Sequence, residues 1–256
     1  LCVGFCPTCV HPCSWTHGTS KSIYMENMNR IFVLFIMLGI SAGQSYSITI
    51  FGIPAADVVQ TIHDSGKIEF TTQNRGIFDL LWPAKNSYEA IYDSNSFALK
   101  NWSKNVKQGE FKQHISAKVD FLGYLAYDDK SLIEIPHNIY TIFTLLAMVQ
   151  SRPYDKLDTK WFNYEQEGLI GKARFVWADT SNAWNGKDSI LCDHYRLDIN
   201  ITDKSDKFLD RTDYFMEEIL ADGVVRELWV SRKKPKRIIR ASLKTAWFPV
   251  SAIFNE

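Results

Sequence analysis

What this chain lacks narrows its class before any motif is read. After Cys13 there is a single cysteine, Cys192, so the long body that follows cannot close a disulfide within itself. Cys192 reads as a core thiol. No sign of charge dominates, because 29 Lys and Arg offset 29 Asp and Glu. A balanced chain has no broad positive field to gather phosphodiesters, which excludes nucleic acid as an expected partner. No apolar run reaches the ~20 residues that a bilayer-spanning helix needs. The common catalytic patterns are also missing: there is no G-x-S-x-G turn, no H-E-x-x-H and no H-x3-H pair. Acyl transfer and a helical zinc site therefore have no support, and neither a catalytic residue nor a metal or cofactor is expected.

What is present is the material of a packed body, with 46% apolar and 14% aromatic residues in 256. From Met28 the chain reads Asn29-Arg30, then the apolar run Ile31 to Ile40, then Ser41-Ala42-Gly43-Gln44-Ser45. A positive start, a short apolar core and small residues are the order of a secretory signal peptide. Residues 25–45 are expected to be that leader, cleaved after Gly43 or Ser45, which implies a periplasmic or secreted protein. Residues 1–24 are expected to be translated upstream sequence. Their Cys2-x3-Cys6-x2-Cys9 spacing matches an iron–sulfur loop, but no strand precedes it, and the artefact reading is preferred.

Residues 46–256 read as one β-rich domain. Phe111, Gln113, Ile115, Ala117 and Val119 alternate with Lys112, His114, Ser116 and Lys118, which is the period of a half-buried strand. The same alternation runs through Ile68 and Phe70, through Ala173, Phe175 and Trp177, and from Tyr195 to Ile201. Strands with one wet face imply antiparallel pairing. Turn signals at Asp64-Ser65-Gly66, Gln108-Gly109, Asp128-Asp129, Asn185-Gly186 and Asp222-Gly223 separate the runs. Tyr214 to Leu220 is expected as one arm of a hairpin, and the last strands at Lys236 to Lys244 and Phe248 to Phe254. One helix is predicted, Asn138 to Gln150, capped by Asn138 and ended by Arg152-Pro153. The fold class is thus mainly β: a curved antiparallel sheet or partial barrel with one central helix.

Several segments together resemble the bacterial exported family catalogued as domain of unknown function 3108. They are Tyr46 to Ala56, Leu81-Trp82-Pro83 with Ser87 to Asp93, Gln108-Gly109-Glu110, the strand ending Val119-Asp120, the helix ending at Arg152, and Leu228-Trp229-Val230-Ser231 with Pro235. The sequence departs from that family's pattern at Ala56-Asp57 and Arg232-Lys233-Lys234. The resemblance implies an envelope protein of lipocalin-like outline, similar to lipid-carrying periplasmic folds, with no established activity.

Three functional readings follow. The first is a non-enzymatic envelope protein that binds a lipid or other amphiphile in a β half-barrel, using the aromatics Trp82, Tyr88, Trp102, Tyr140, Phe143 and Trp177; an open apolar cavity beside the helix would support it. The second is an interaction module that contacts another envelope protein or an anionic membrane surface, with Arg232, Lys233, Lys234, Lys236 and Arg237 as the basic contact and Arg240 beside them. The bland reading of that run is a solvated turn and edge strand. The third is a hydrolase of unrecognised type. Glu165 and Glu167 share a strand face, as paired glycosidase acids do, but are expected as ordinary solvated surface carboxylates. Asp193 and His194, as strand neighbours, point to opposite faces and cannot share a metal.

Overall fold

The computed structural model describes residues 43–129, 131–202, 211–245 and 249–255. The expected upstream segment 1–24, and the leader as far as residue 42, lie outside them. Alternation of apolar and polar side chains builds the first half of the fold: β1 (Gln44–Ile50), β2 (Ile53–His63), β3 (Lys67–Asn74), β4 (Ala84–Tyr92), β5 (Leu99–Gln108), β6 (Phe111–Val119), β7 (Tyr124–Tyr127) and β8 (Leu132–Glu134). The second half comprises β9 (Ile139–Tyr140), β10 (Trp161–Gln166), β11 (Leu169–Trp184), β12 (Ser189–Ile201), β13 (Val225–Ser231), β14 (Ile238–Lys244) and β15 (Pro249–Asn255). The sheet begins at Gln44, two residues before the expected start.

All these strands belong to one sheet, in the order β8-β7-β6-β5-β4-β3-β2-β1-β15-β14-β13-β12-β11-β10-β9. The chain starts in the middle, meanders to one edge at β8, crosses to the opposite edge at β9, and meanders back. Pairing of β15 with β1, from Ser45↔Asn255 to Ile50↔Val250, joins the halves. Every strand pair is antiparallel except β9 with β10. This is the predicted class, a mainly β, curved antiparallel sheet that stays unclosed.

Curvature follows from contacts across the sheet. Twelve strand intervals separate β7 from β10, about 55 Å if the sheet were flat. Yet the Tyr127 hydroxyl on β7 donates to the Glu165 carboxylate on β10. The inner faces of the two ends therefore meet. The alternation marked Ile115 and Ala117 on β6 as inner-facing, and they are buried; so are Tyr88, Ala90 and Tyr92 on β4 and Trp102 and Val106 on β5.

Among the described residues three short α-helices accompany the sheet: α1 (Gly76–Leu81), α2 (Ile142–Val149) and α3 (Tyr214–Leu220). The predicted central helix is α2, shorter than expected at its start. Asn138 does not cap it. Thr141 does, in a reciprocal box in which Thr144 N donates to Thr141 Oγ1 at 3.4 Å and Thr141 N donates to Thr144 Oγ1 at 3.1 Å. Asn138 instead takes a left-handed φ of 55°, and Ile139 and Tyr140 pair as β9. Every residue of α2 except Leu146 is buried, as expected of a helix apolar all round. Phe143 sits among the rings of Phe70 (5.4 Å) and Tyr88 (5.3 Å), so α2 fills the concave side.

Tyr214 to Leu220 is a helix, which corrects the hairpin expected there. The Asp213 side chain accepts from Phe215 N at 3.1 Å and Met216 N at 3.3 Å, an N-cap that fixes the turn. Met216 and Ile219, three apart, are its buried pair. Cys192 is fully buried, and burial raises its thiol to about 11.

The long β11–β12 pair contains a close backbone approach at Gly171. A Cβ on Gly171 would lie 2.3 Å from the Asn200 carbonyl oxygen, a backbone atom that cannot step aside. Gly171→Ala is expected to lower stability by ~1–3 kcal/mol, read as a lower denaturant midpoint with an unchanged slope.

Candidate functional site

The side chains with the most chemistry lie inside the curl, where β5, the β10–β11 turn and the start of α3 converge. On β5, inner positions recur at Trp102, Lys104 and Val106. Lys104 therefore points inward, with 0% exposure. Its Nζ is paired with the Glu167 carboxylate and donates to Asp213 Oδ2 at 3.0 Å and Thr212 Oγ1 at 2.9 Å. The Tyr88 hydroxyl donates to Asp213 Oδ1 at 2.8 Å. Glu167 stands in the β10–β11 turn at a left-handed φ of 51°. One ammonium thus holds the carboxylates of two distant chain segments against the inner face of β5.

A second carboxyl lies beside this group. Glu165, 0% exposed, accepts from the Tyr127 hydroxyl and from Gly168 N at 2.9 Å. Its Oε2 and the Trp102 indole N–H form no hydrogen bond within 3.5 Å among the described residues, although the indole is near enough to help hold the Glu165 carboxyl down. Both residues line a cavity of about 10 Å3, together with Thr141, Phe143 and Met216, which is at the lower limit of what one water requires. Burial pushes the Glu165 carboxyl up to about 7, opposed by the bonds from Gly168 and Tyr127. Burial also raises Glu167, opposed chiefly by Lys104. The hydroxyls of Tyr88 and Tyr127 are driven up by burial and then by the neighbouring Asp213 and Glu165.

Glu165 and Glu167 are therefore not the solvated surface pair expected. They do share a face, but it is the inner one, and the curl seals it. This arrangement has charge without access. The ammonium is engaged by two carboxylates, and the cavity beside it is too small for a substrate or an acyl chain. Among the described residues no group of three His, Cys, Asp or Glu side chains could hold a metal ion.

The sequence-predicted aromatics divide. Tyr88, Trp102, Tyr140 and Phe143 are buried, and the first, second and fourth surround the polar cluster. Tyr140 packs on Phe162 at 5.4 Å and donates to Ser96 O at 3.2 Å. Trp177 is half-buried against Tyr154. Trp82 lies outside, 45% exposed at the end of α1, with its ring 5.3 Å from Tyr214. The basic run at the β13–β14 turn is partly engaged by the fold itself: Arg232 and Lys236 face Asp193 at 3.4 and 3.9 Å, and Arg237 lies over Phe254 at 5.3 Å. Lys233 and Lys234 are exposed. Arg240 lies over Trp229, on which His194 stacks at 4.3 Å, while Asp193 turns to the other face. Sequence pattern does not single out Lys104, Asp213 or Tyr127, although period two from Trp102 places Lys104 inside.

Two outcomes follow. Lys104→Met strands two buried carboxylates and is expected to cost about 3 kcal/mol or more, measured by chemical denaturation. For Glu165, the folded carboxyl titrates near 7 against an ordinary 4.5, so over that window the folded state keeps a proton that the unfolded chain has released. Stability therefore falls as pH rises from 4.5 to about 7, by on the order of 3 kcal/mol. Denaturation curves of Glu165→Gln across the same range are expected to show a shallower fall, what remains coming from groups such as Glu167 that burial also raises.

No family model and no curated protein matches the chain. The solved structures similar to it include two proteins of unknown function. One is a beta-barrel-like protein of domain of unknown function DUF1849 from Brucella abortus, at 9% identity and a TM-score of 0.49, covering 84% of this chain and 95% of that one. The other is a DUF1089 family protein from Pseudomonas aeruginosa, at 9% identity and a TM-score of 0.37, covering 72% and 88%.

Proposed function

We propose that the protein is an exported, non-catalytic envelope module with a sealed interior, which works by contact through its outer surface. The observation that carries this reading is the filled concave side: α2 occupies it, the Lys104 cluster pins it, and about 10 Å3 remains beside them. A lipid chain needs room for many methylenes, and a hydrolase needs a cleft that admits substrate and water. On the concave side neither is available without displacing α2 or α3. The inner aromatics Tyr88, Trp102 and Phe143 then act as core. The leader-like run before Gly43 and the resemblance to the DUF3108 family support export. Because β1 starts at Gln44 and pairs on both sides, cleavage after Gly43 leaves the sheet whole, whereas cleavage after Ser45 removes two paired residues.

The test is made on protein purified from the producing cell. Its N-terminus is expected at Gln44, its location in the envelope fraction, and its organic extract free of stoichiometric lipid by mass spectrometry. One lipid recovered per chain would replace this reading with that of a carrier.

A further inference from the structure

The rim of the sheet at the α1 end carries two features that the sealed interior does not use. The first is α1 itself. Its apolar side chains face water: Leu80 is 83% exposed, Leu81 75% and Ile77 60%. This is not the fraying of a loose turn, because the segment is held at both ends. Arg75 N donates to Ala55 O at 2.9 Å, and its guanidinium binds Asp57 at 2.8 Å and Ser47 Oγ at 2.9 Å. Asn74 Nδ2 donates to Trp82 O at 2.8 Å. A clamped backbone thus presents three aliphatic side chains and an indole outward, as a convex wedge.

The second is a row of lysines on the outer face. Lys85 on β4 stands opposite Lys107 on β5, which stands opposite Lys112 on β6. All three are exposed, and none forms an ion pair among the described residues. Like charges directly opposite in a sheet repel, so the row costs the fold something that no ion pair among the described residues offsets. Beside it, Thr71, Ser87, Asn105 and His114 help to line a groove of about 470 Å3 that Lys85, Lys107 and Lys112 also border.

The two features are contiguous. Lys85 follows Trp82 by three residues, and the β5–β6 turn between Lys107 and Lys112 rests on the same segment, with Gly109 N donating to Pro83 O at 2.8 Å. Asp79 on α1 and Glu110 in that turn are the nearby acids. Aliphatic wedge, indole at its base and a lysine row one step behind form the order of chemistry met on passing from acyl chains through the interface to phosphate. A protein partner would meet an apolar knob without a complementary groove, whereas the lysines supply charge complementarity to an anionic bilayer. Resting on the reading of an envelope module that acts through its surface, we infer that this rim docks on an anionic phospholipid bilayer, with Ile77, Leu80 and Leu81 entering the interface and Lys85, Lys107 and Lys112 contacting headgroup phosphates.

The test is flotation of the full chain with vesicles of phosphatidylcholine alone and of phosphatidylcholine mixed with phosphatidylglycerol. Every sample carries the same N-terminal segment, so differences between variants report the rim. The wild type is expected to float with the mixed vesicles and to be released by salt. The triple variant Lys85→Glu, Lys107→Glu, Lys112→Glu is expected to lose on the order of a hundredfold in partition to mixed vesicles, with its binding to neutral vesicles unchanged. Leu80→Asp with Leu81→Asp is expected to lose tenfold or more on both, at an unchanged Tm; if the Tm moves, Leu80→Ser carries the comparison. Variants that float like the wild type would overturn the inference. So would binding of free glycerol 3-phosphate at the lysine row without vesicle binding, which marks a soluble-anion site, or loss of a dimer in the leucine variant without vesicle binding, which marks a second copy as occupant. If the wild type ignores vesicles while its extract stays lipid-free and it still fractionates with the envelope, docking fails and the sealed module stands. If one lipid is recovered per chain while flotation still depends on the rim, docking stands and the sealed module fails.

Discussion

A side-chain ammonium cut off from water needs its hydrogen-bonding partners close at hand, and at Lys104 that requirement ties the curl of the sheet together. Its partners come from the β10–β11 turn and from the residue that caps α3, so a single side chain on β5 joins three parts of the molecule that are remote in sequence. Such a pin adds little net stability over an apolar core of the same shape, because the desolvation of three charged groups offsets their attraction. What it adds is discrimination. A sheet of fifteen strands with two unpaired edges has many ways to curl, and a state that separates Lys104 from Glu167 or Asp213 buries an unmatched charge.

Neighbouring elements reinforce the same closure. Asp213 shares one carboxylate among Lys104, the Tyr88 hydroxyl and the first amides of α3, so the capping of that helix and the pinning of the sheet are one interaction. Phe215 then packs against Tyr88 at 5.7 Å and Phe143 at 6.3 Å, which links α3 to α2. Glu165 and Tyr127 repeat the arrangement nearer the edge strands with no cation, which is why burial is free to lift the Glu165 carboxyl toward neutrality.

Local pattern in the sequence accounts for much of this fold. Phe111 to Val119 is a strand with the expected residues inside, the five turn signals all lie at turns, and the central helix lies within its predicted span, starting four residues later. Elements whose identity rests on a cap or a short span are less legible. Tyr214 to Leu220 has the apolar content of a strand, and the Asp213 cap that decides otherwise is a single residue; α1 hides in a Leu-Leu-Trp-Pro run that reads equally well as a loop. The site is least legible of all. Period two places Glu165 and Glu167 together but does not say on which side, since that depends on a curl spanning twelve strand intervals. Likewise, an inward lysine is recognisable only when its two carboxylates are known to arrive from elsewhere.

The pairing of β15 with β1 has a consequence for the order of assembly. Ser45 meets Asn255 at the centre of the sheet, so β1 is bonded on one side only, to β2, until β15 has been made. Contacts of such long sequence separation form slowly. The seam between the two meanders therefore closes only once β15 is available, and until then the molecule is a pair of half-sheets whose joining edges are open.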